Sequence, residues 1–299
     1  MKRLRRIAVL ALGAFLLTAS LSWAAAEGKI TLRILLVPER NIFEQERKYQ
    51  YLRDYTSSLL PMDVRFEVLG GYGEVIRALD ERRADGAFLG SFVAALGIEN
   101  HGLVPLVRPE WPSGETFYRS YIFKRSGTPI TRDVSTWKNR SFVFVSPYTS
   151  AGYFFPLALL KKAGVNEPAE FFSSIQYSGS HDAAIWMVAN DMVEMGAAKN
   201  TIYEELLQKK PELAGKIEIL YSGGHFPDAT LCMKAETPDE VREAMRSVFL
   251  RMSSSKEGQE VLKMFGAARF VPASTGDFGE VREVVKESGH ILKQMKILN

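Results

Sequence analysis

Between Leu32 and Gly90 the chain keeps returning to one alternation: a short apolar run, a turn, a helical pattern, then another short run. Residues 32–37 predict a strand that Pro38 ends, residues 43–60 carry helical periodicity, and residues 64–69 alternate as a second strand. Gly70-Gly71 then turns the chain into a helix over 72–83, with Val75, Ile76 and Leu79 on one face. The short strand Gly86-Ala87-Phe88-Leu89-Gly90 follows. Strands joined through helices return to the same end of a sheet, so this order predicts an α/β fold with a largely parallel sheet.

A second set starts after Gly127-Thr128-Pro129, with strands expected at 141–145, 175–177, 195–198 and 216–221. Helices are expected between them at 150–163, 181–190 and 201–209, and the chain closes with helices near 238–252, 256–264 and 278–295. Two extended stretches, 117–124 and 225–233, bracket the middle set. Side by side, they would make residues 124–224 an inserted second lobe, with 27–123 and 225–299 as the first. Two lobes joined by two strands form a hinge, and the cleft between them is a natural ligand site.

The 299 residues suffice for two such lobes, and 46% hydrophobic against 24% charged residues excludes a disordered chain. The formal net charge of +3 is unevenly placed. Lys2, Arg3, Arg5 and Arg6 precede the first acidic residue, Glu27, and subtracting these four from +3 leaves −1. The remainder has no basic excess of the kind that nucleic-acid binding requires. Those basic residues are followed by an apolar run from Ile7 to Leu17 and by Ala24-Ala25-Ala26, the order of a secretory signal peptide cleaved after Ala26. Cys232 is the single cysteine, so an exported chain has no internal disulfide and no cysteine-based metal or redox site. It lies in an apolar run, 229–233, that reads as a buried strand.

Three strand-to-helix junctions carry the candidate chemistry. In Ser146-Pro147-Tyr148-Thr149-Ser150-Ala151-Gly152-Tyr153 a strand runs into hydroxyl residues that open a helix. Thr149 or Ser150 is suited to cap it, the free amides and helix dipole suit an anion, and Ala151 and Gly152 would let a ligand approach the backbone. In Gly179-Ser180-His181-Asp182, Ser180 is a candidate cap and His181 stands in the first turn. In Gly70-Gly71-Tyr72-Gly73, Tyr72 opens a helix, and its hydroxyl is a candidate donor, as is that of Tyr118 beside the first crossing. Enzyme signatures such as G-x-S-x-G, H-E-x-x-H and Walker A do not occur. Ser150, His181 and Asp182 or Asp228 form a hydrolytic triad only on paper, since Ser150 is not on a nucleophile elbow.

With these segments in order, the mature chain resembles the phosphate/phosphite/phosphonate substrate-binding proteins of ABC transporters. The resemblance extends from the strand ending at Pro38, with Phe43 and Tyr55 in the next helix, through residues 71–79, 84–90 and Tyr118-Arg119-Ser120. It continues over Pro147-Tyr148-Thr149-Ser150-Ala151-Gly152-Tyr153-Phe154-Phe155-Pro156 and Gly179-Ser180-His181-Asp182-Ala183-Ala184. It implies a type II periplasmic-binding-protein fold: two lobes, each a mostly parallel sheet flanked by helices, on a two-strand hinge. It also implies a ligand site of Tyr72, Tyr118, Thr149, Ser150, Ala151 and His181. Where the family's motif has a third hydroxyl this chain has Ala151, which leaves only a backbone donor. Members that bind aminoalkyl phosphonates hold the ammonium with acidic residues. Asp228 is a candidate for one, and near Lys199-Asn200-Thr201, where the other would lie, no carboxylate stands. The expectation is therefore a small phosphorus oxyanion with a neutral or weakly charged tail, captured in the periplasm by a monomer and passed to an ABC permease. No cofactor, metal, nucleic acid or catalysed reaction is expected. A sensor protein feeding a membrane receptor kinase, or a periplasmic enzyme on the same scaffold, are the alternatives.

Overall fold

The computed structural model describes residues 30–287. The expected leader and the end of the expected closing helix lie outside the described residues. The chain lays down β1 (Thr31–Leu36), β2 (Asp63–Val68), β3 (Gly86–Leu89) and β4 (Leu103–Glu110), then crosses to a second sheet. There it forms β5 (Phe117–Arg125), β6 (Ser141–Phe144), β7 (Ser174–Tyr177), β8 (Met195–Lys199) and β9 (Ile217–Pro227). It returns for β10 (Thr230–Lys234) and β11 (Arg269–Pro272). The six-stranded sheet has the order β11-β4-β10-β3-β1-β2 and the five-stranded sheet the order β7-β6-β8-β5-β9.

Both sheets are mixed, which corrects the expectation of largely parallel ones. β1 runs parallel to β2 and β3, and β6 to β7 and β8, as their connecting helices require. β10 is antiparallel to β3 and β4, and β5 is antiparallel to β8 and β9. A strand that enters from the other sheet arrives at the opposite end from one returned by a local helix, so each crossing reverses the direction. β5 and β9 belong wholly to the second sheet and pair Phe117 with Pro227, so the chain crosses side by side at 111–116 and 228–229. Asp228 N–H donates to Thr116 O at 3.2 Å within this double crossing.

Helix Ser91–Asn100, β4 and the short edge strand β11 go beyond the sequence reading. Helix Ser91–Asn100 is buried along its whole first stretch, Ser91 to Gly97, so it has no polar face to create periodicity. β4 carries Pro105 and Pro109, residues that argue against an interior strand. It is accommodated by a register shift between Leu231 and Cys232 on β10, opposite Pro105 and Val107. The first core centres on Phe88, whose ring meets those of Tyr49, Phe66 and Phe249 at 5.2–5.8 Å. Burying each such ring contributes about 1.5–3 kcal/mol. Gly86 lets β3 and β10 close up, since a Cβ there would stand 2.5 Å from Cys232 O. Cys232 itself is buried, and burial pushes its thiol well above the ordinary range.

Candidate functional site

The hydroxyl-rich junction folds differently from a simple capped helix. Residues Ser150–Phe154 form one π-helical turn, followed by the α-helix Phe155–Lys162. The cause is Pro156, which has no N–H to donate back to Gly152 O. That carbonyl instead accepts from Val145 N–H at 3.1 Å, stitching the chain just past β6 to the helix start. Gly152 is required by this closeness: a Cβ would lie 2.4 Å from Val145 Cγ2. Its small size therefore serves the protein's own packing, where the sequence suggested room for a ligand. Thr149 stands at the N-cap, but its side chain accepts no amide. Its hydroxyl donates to Ser146 O at 2.7 Å. As at any helix start, the amides of Ser150, Ala151 and Gly152 have no acceptor inside the helix.

Ser150 is buried and reaches across to the first sheet's side of the cleft. Its Oγ shares a hydrogen bond of 2.7 Å with Ser91 Oγ, and Ser91 shares another of 2.6 Å with the Tyr118 hydroxyl. Three hydroxyls bring three protons to a chain with two internal bonds, so one O–H remains to donate outward. Tyr72, opening helix Tyr72–Asp80 behind Gly71, has a buried hydroxyl with no hydrogen-bond partner. Burial raises both phenols, Tyr118 to about 12 and Tyr72 well above its usual value, so both keep their protons. The charge of Glu39 and the Tyr118 phenol further raise Tyr72.

His181 opens helix His181–Ala189, where Ser180 caps as expected by accepting from Ala183 N–H. Its backbone N–H donates across the cleft to Glu39 O at 2.9 Å. Burial and then the Lys199 charge hold the imidazole down to about 3, so it is neutral near pH 7. Nδ1 accepts from Lys199 N–H at 3.2 Å, which assigns the ring proton to Nε2 and makes that atom a neutral donor. Asp182 accepts from Ser180 Oγ, Ala183 N–H and, across the cleft, Asn41 N–H at 2.7 Å. Ala151 takes part through its carbonyl, which accepts from Ser120 Oγ at 2.7 Å.

A second, charged wall adjoins this one. Lys199 ends β8 fully buried, with Nζ 3.0 Å from Glu39 Oε1, in contact with Asp228 Oδ1, and 4.5 Å from the centre of the Tyr118 ring. Burial alone would lower its pKa, but Asp228 and Glu39 more than offset this and hold the ammonium above its usual value. Asp228 also accepts from Trp111 Nε1 and Ala229 N–H, each at 2.7 Å. Its carboxylate is thus engaged by the protein's own groups. Further out, Glu205 binds Arg40 at 2.7 Å and Lys48 at 3.3 Å. Glu39, Arg40, Lys48, Trp111, Lys199 and Glu205 help to line a cavity of about 640 Å³, which none of the hydroxyl-chain residues borders.

Sequence reasoning missed Ser91, Glu39 and Lys199. Ser91 directly follows the Gly90 that ends the predicted strand. Lys199 ends a strand of small apolar residues, and a lone charge closing such a run was the available signal. The paper triad does not assemble: His181 Nδ1 accepts a backbone proton instead of donating one to a carboxylate, and Ser150 bonds to Ser91. Among the described residues there is no group of three or more metal-ligating side chains, and no helix is long and apolar enough to cross a membrane.

Comparison with known proteins agrees with this architecture. The family profile described as "ABC transporter, phosphonate, periplasmic substrate-binding protein" matches residues 34–278. A relative in Prochlorococcus marinus (strain MIT 9301), the probable ABC transporter phosphite binding protein PhnD1, is 20% identical over 290 residues, 93% of this chain and 98% of the relative. The phosphate-import protein PhnD of Mycolicibacterium smegmatis is 22% identical over 278 residues, 87% of this chain and 86% of that protein. The fold is similar to that of the P. marinus PhnD1 in complex with methylphosphonate, with TM-score 0.78 and 18% identity over 87% of this chain and 98% of that one. A binding-protein component of an ABC phosphonate transporter from Pseudomonas aeruginosa gives 0.77 at 15% identity, covering 90% of this chain and 98% of that one. The chain belongs to the phosphonate periplasmic substrate-binding family of ABC transporters.

Proposed function

We propose that this member of the phosphonate substrate-binding family captures a small phosphorus oxyanion (phosphate, phosphite or a phosphonate) between its two lobes, 27–123 with 225–299 and 124–224. It then presents the closed form to an ABC permease. The observation that carries this reading is the set of buried neutral donors with protons to give: the Tyr118–Ser91–Ser150 chain, Tyr72 and His181. Together with the amides at 150–152 they supply hydrogen-bond donors to several oxygens of one tetrahedral anion. In this reading Thr149 and Ala151 contribute through the backbone, and Asp228 acts through Lys199.

Ser91 lies on the first sheet's side and Ser150 and Tyr118 on the second's, so a ligand held by all three favours closure. The protein acts as a monomer that binds and releases without catalysing a reaction, and it reaches the periplasm after residues 1–26 are removed. The test is a thermal-shift panel of phosphate, phosphite, methylphosphonate and sulfate on the purified chain, repeated with Ser150→Asp. At ~100 times its dissociation constant a true ligand adds about 2.7 kcal/mol of stability. A shift with at least one phosphorus oxyanion, lost in Ser150→Asp, is expected. No shift with any of the three phosphorus ligands overturns the reading.

A further inference from the structure

Lys199 stands between the hydroxyl wall and the cavity. On one side its ammonium lies 4.5 Å from the centre of the Tyr118 ring, whose hydroxyl belongs to the donor chain. On the other side Lys199 and Glu39 both line the cavity of about 640 Å³. Its neighbours on the strand, Met195 to Ala198, are all buried, so the backbone beneath it is fixed in the second sheet through pairing with Ser120. The ammonium is held from the first sheet's side by both Glu39 oxygens, at 3.0 and 3.3 Å, and from the crossing by Asp228. One ammonium thus engages both carboxylates, and the trio as a whole keeps one negative charge.

We propose that Lys199 is the residue that determines which substituent a phosphorus ligand carries, admitting a hydrogen, a hydroxyl or a methyl group and excluding an ammonium-bearing chain. The proposal rests on the oxyanion reading above. With the anion on the hydroxyl wall, a tail growing past Tyr118 meets the lysine methylenes and then a positive charge. It finds no free carboxylate, because Glu39 and Asp228 are already engaged. The lysine side chain fills the way, and its ammonium already occupies the carboxylates that a second cation would need, so volume and pairing act in the same direction. Removing the lysine side chain reverses both: it opens a passage toward the cavity and leaves two carboxylates facing it, the complement of an alkylammonium group.

The experiment is calorimetric titration of the full mature chain with methylphosphonate and 2-aminoethylphosphonate, for wild type and Lys199→Ala. Wild type is expected to prefer methylphosphonate by at least about a hundredfold, a difference of about 2.7 kcal/mol. In Lys199→Ala that ratio should fall by at least about a hundredfold, or invert. Lys199→Ala leaves two buried carboxylates without their cation and for that reason can fail to fold. The variant Lys199→Ala/Asp228→Asn removes one positive and one negative charge together, and it should shift the ratio in the same direction through Glu39 alone. An unchanged ratio in either folded variant overturns the proposal. So does a wild-type protein that binds 2-aminoethylphosphonate as tightly as methylphosphonate, a result that needs no variant. Wild type binding none of phosphate, phosphite and either phosphonate would instead sink the oxyanion reading, which keeps the two failures apart.

Discussion

Both walls of the cleft are polar and buried, but their groups differ in what they still have to offer. On the hydroxyl wall, Tyr72 has no partner and the Tyr118–Ser91–Ser150 chain has more protons than internal bonds. On the charged wall, Lys199, Glu39 and Asp228 are engaged with one another, and Trp111 completes Asp228. The contrast follows from the price of burial. Leaving a neutral hydroxyl without a partner costs about 1–3 kcal/mol, which a fold can carry and a ligand can relieve. An unpaired buried charge costs several kcal/mol, so charges at such a place end up paired inside the protein. In the proposed reading an anion is recognised by neutral dipoles, while the ion pairs of Lys199 tie the two sheets together.

The most severe way to break this contrast is Asp228→Ala. It leaves Lys199 with Glu39 as its one carboxylate and strips Trp111 Nε1 and Ala229 N–H of their acceptor. Breaking a buried pair on one side destabilises by about 3–5 kcal/mol, which urea denaturation of the ligand-free protein should register. A loss below about 1 kcal/mol would show that this wall does not hold the fold together.

Tyr72→Phe sharpens the other side. Its hydroxyl has no protein partner to lose, so ligand-free stability should hold or rise slightly. Oxyanion affinity should fall about tenfold, near 1.4 kcal/mol, by calorimetry. A stability loss of equal size with affinity intact would make the tyrosine a structural residue. The smallest effect is expected outside the walls. Lys209, about half exposed, reaches Glu205 at 3.0 Å and Glu44 across the cleft at 3.6 Å. Lys209→Ala should change stability by no more than about 1 kcal/mol, and salt should erase even that. A larger, salt-resistant loss would mean that the surface ions also hold the lobes.

The fold was most closely legible where an element had one wet face. The helix at 42–59 and the strands at 31–36 and 63–68 fall within a residue of the reading, because half-buried elements write their period into the sequence. Helix Ser91–Asn100 was invisible for the opposite reason: buried on every side from Ser91 to Gly97, it has no polar face to mark a period. The site divides in a related way. Tyr72, Ser150 and His181 stand at strand-to-helix junctions, where local chemistry suggests a role. Ser91 and Lys199 stand at such junctions too, but no capping hydroxyl motif marks them, and what sets them apart is contact with distant residues: Ser150 and Tyr118 for one, Glu39 and Asp228 for the other.

The sequence by itself determined the alternation of strands and helices, the hydroxyl-rich helix start and the absence of enzyme motifs, since each depends on residues close together in the chain. Tertiary structure alone decided that the sheets are mixed and that Pro156 frees Gly152 O for Val145. It also decided that Thr149's hydroxyl turns to its own loop and that Asp228 meets Lys199. Each of these outcomes is a choice among competing hydrogen-bond and charge partners. Those partners are brought together only when two sheets, connected by a double crossing of the chain, close on one another.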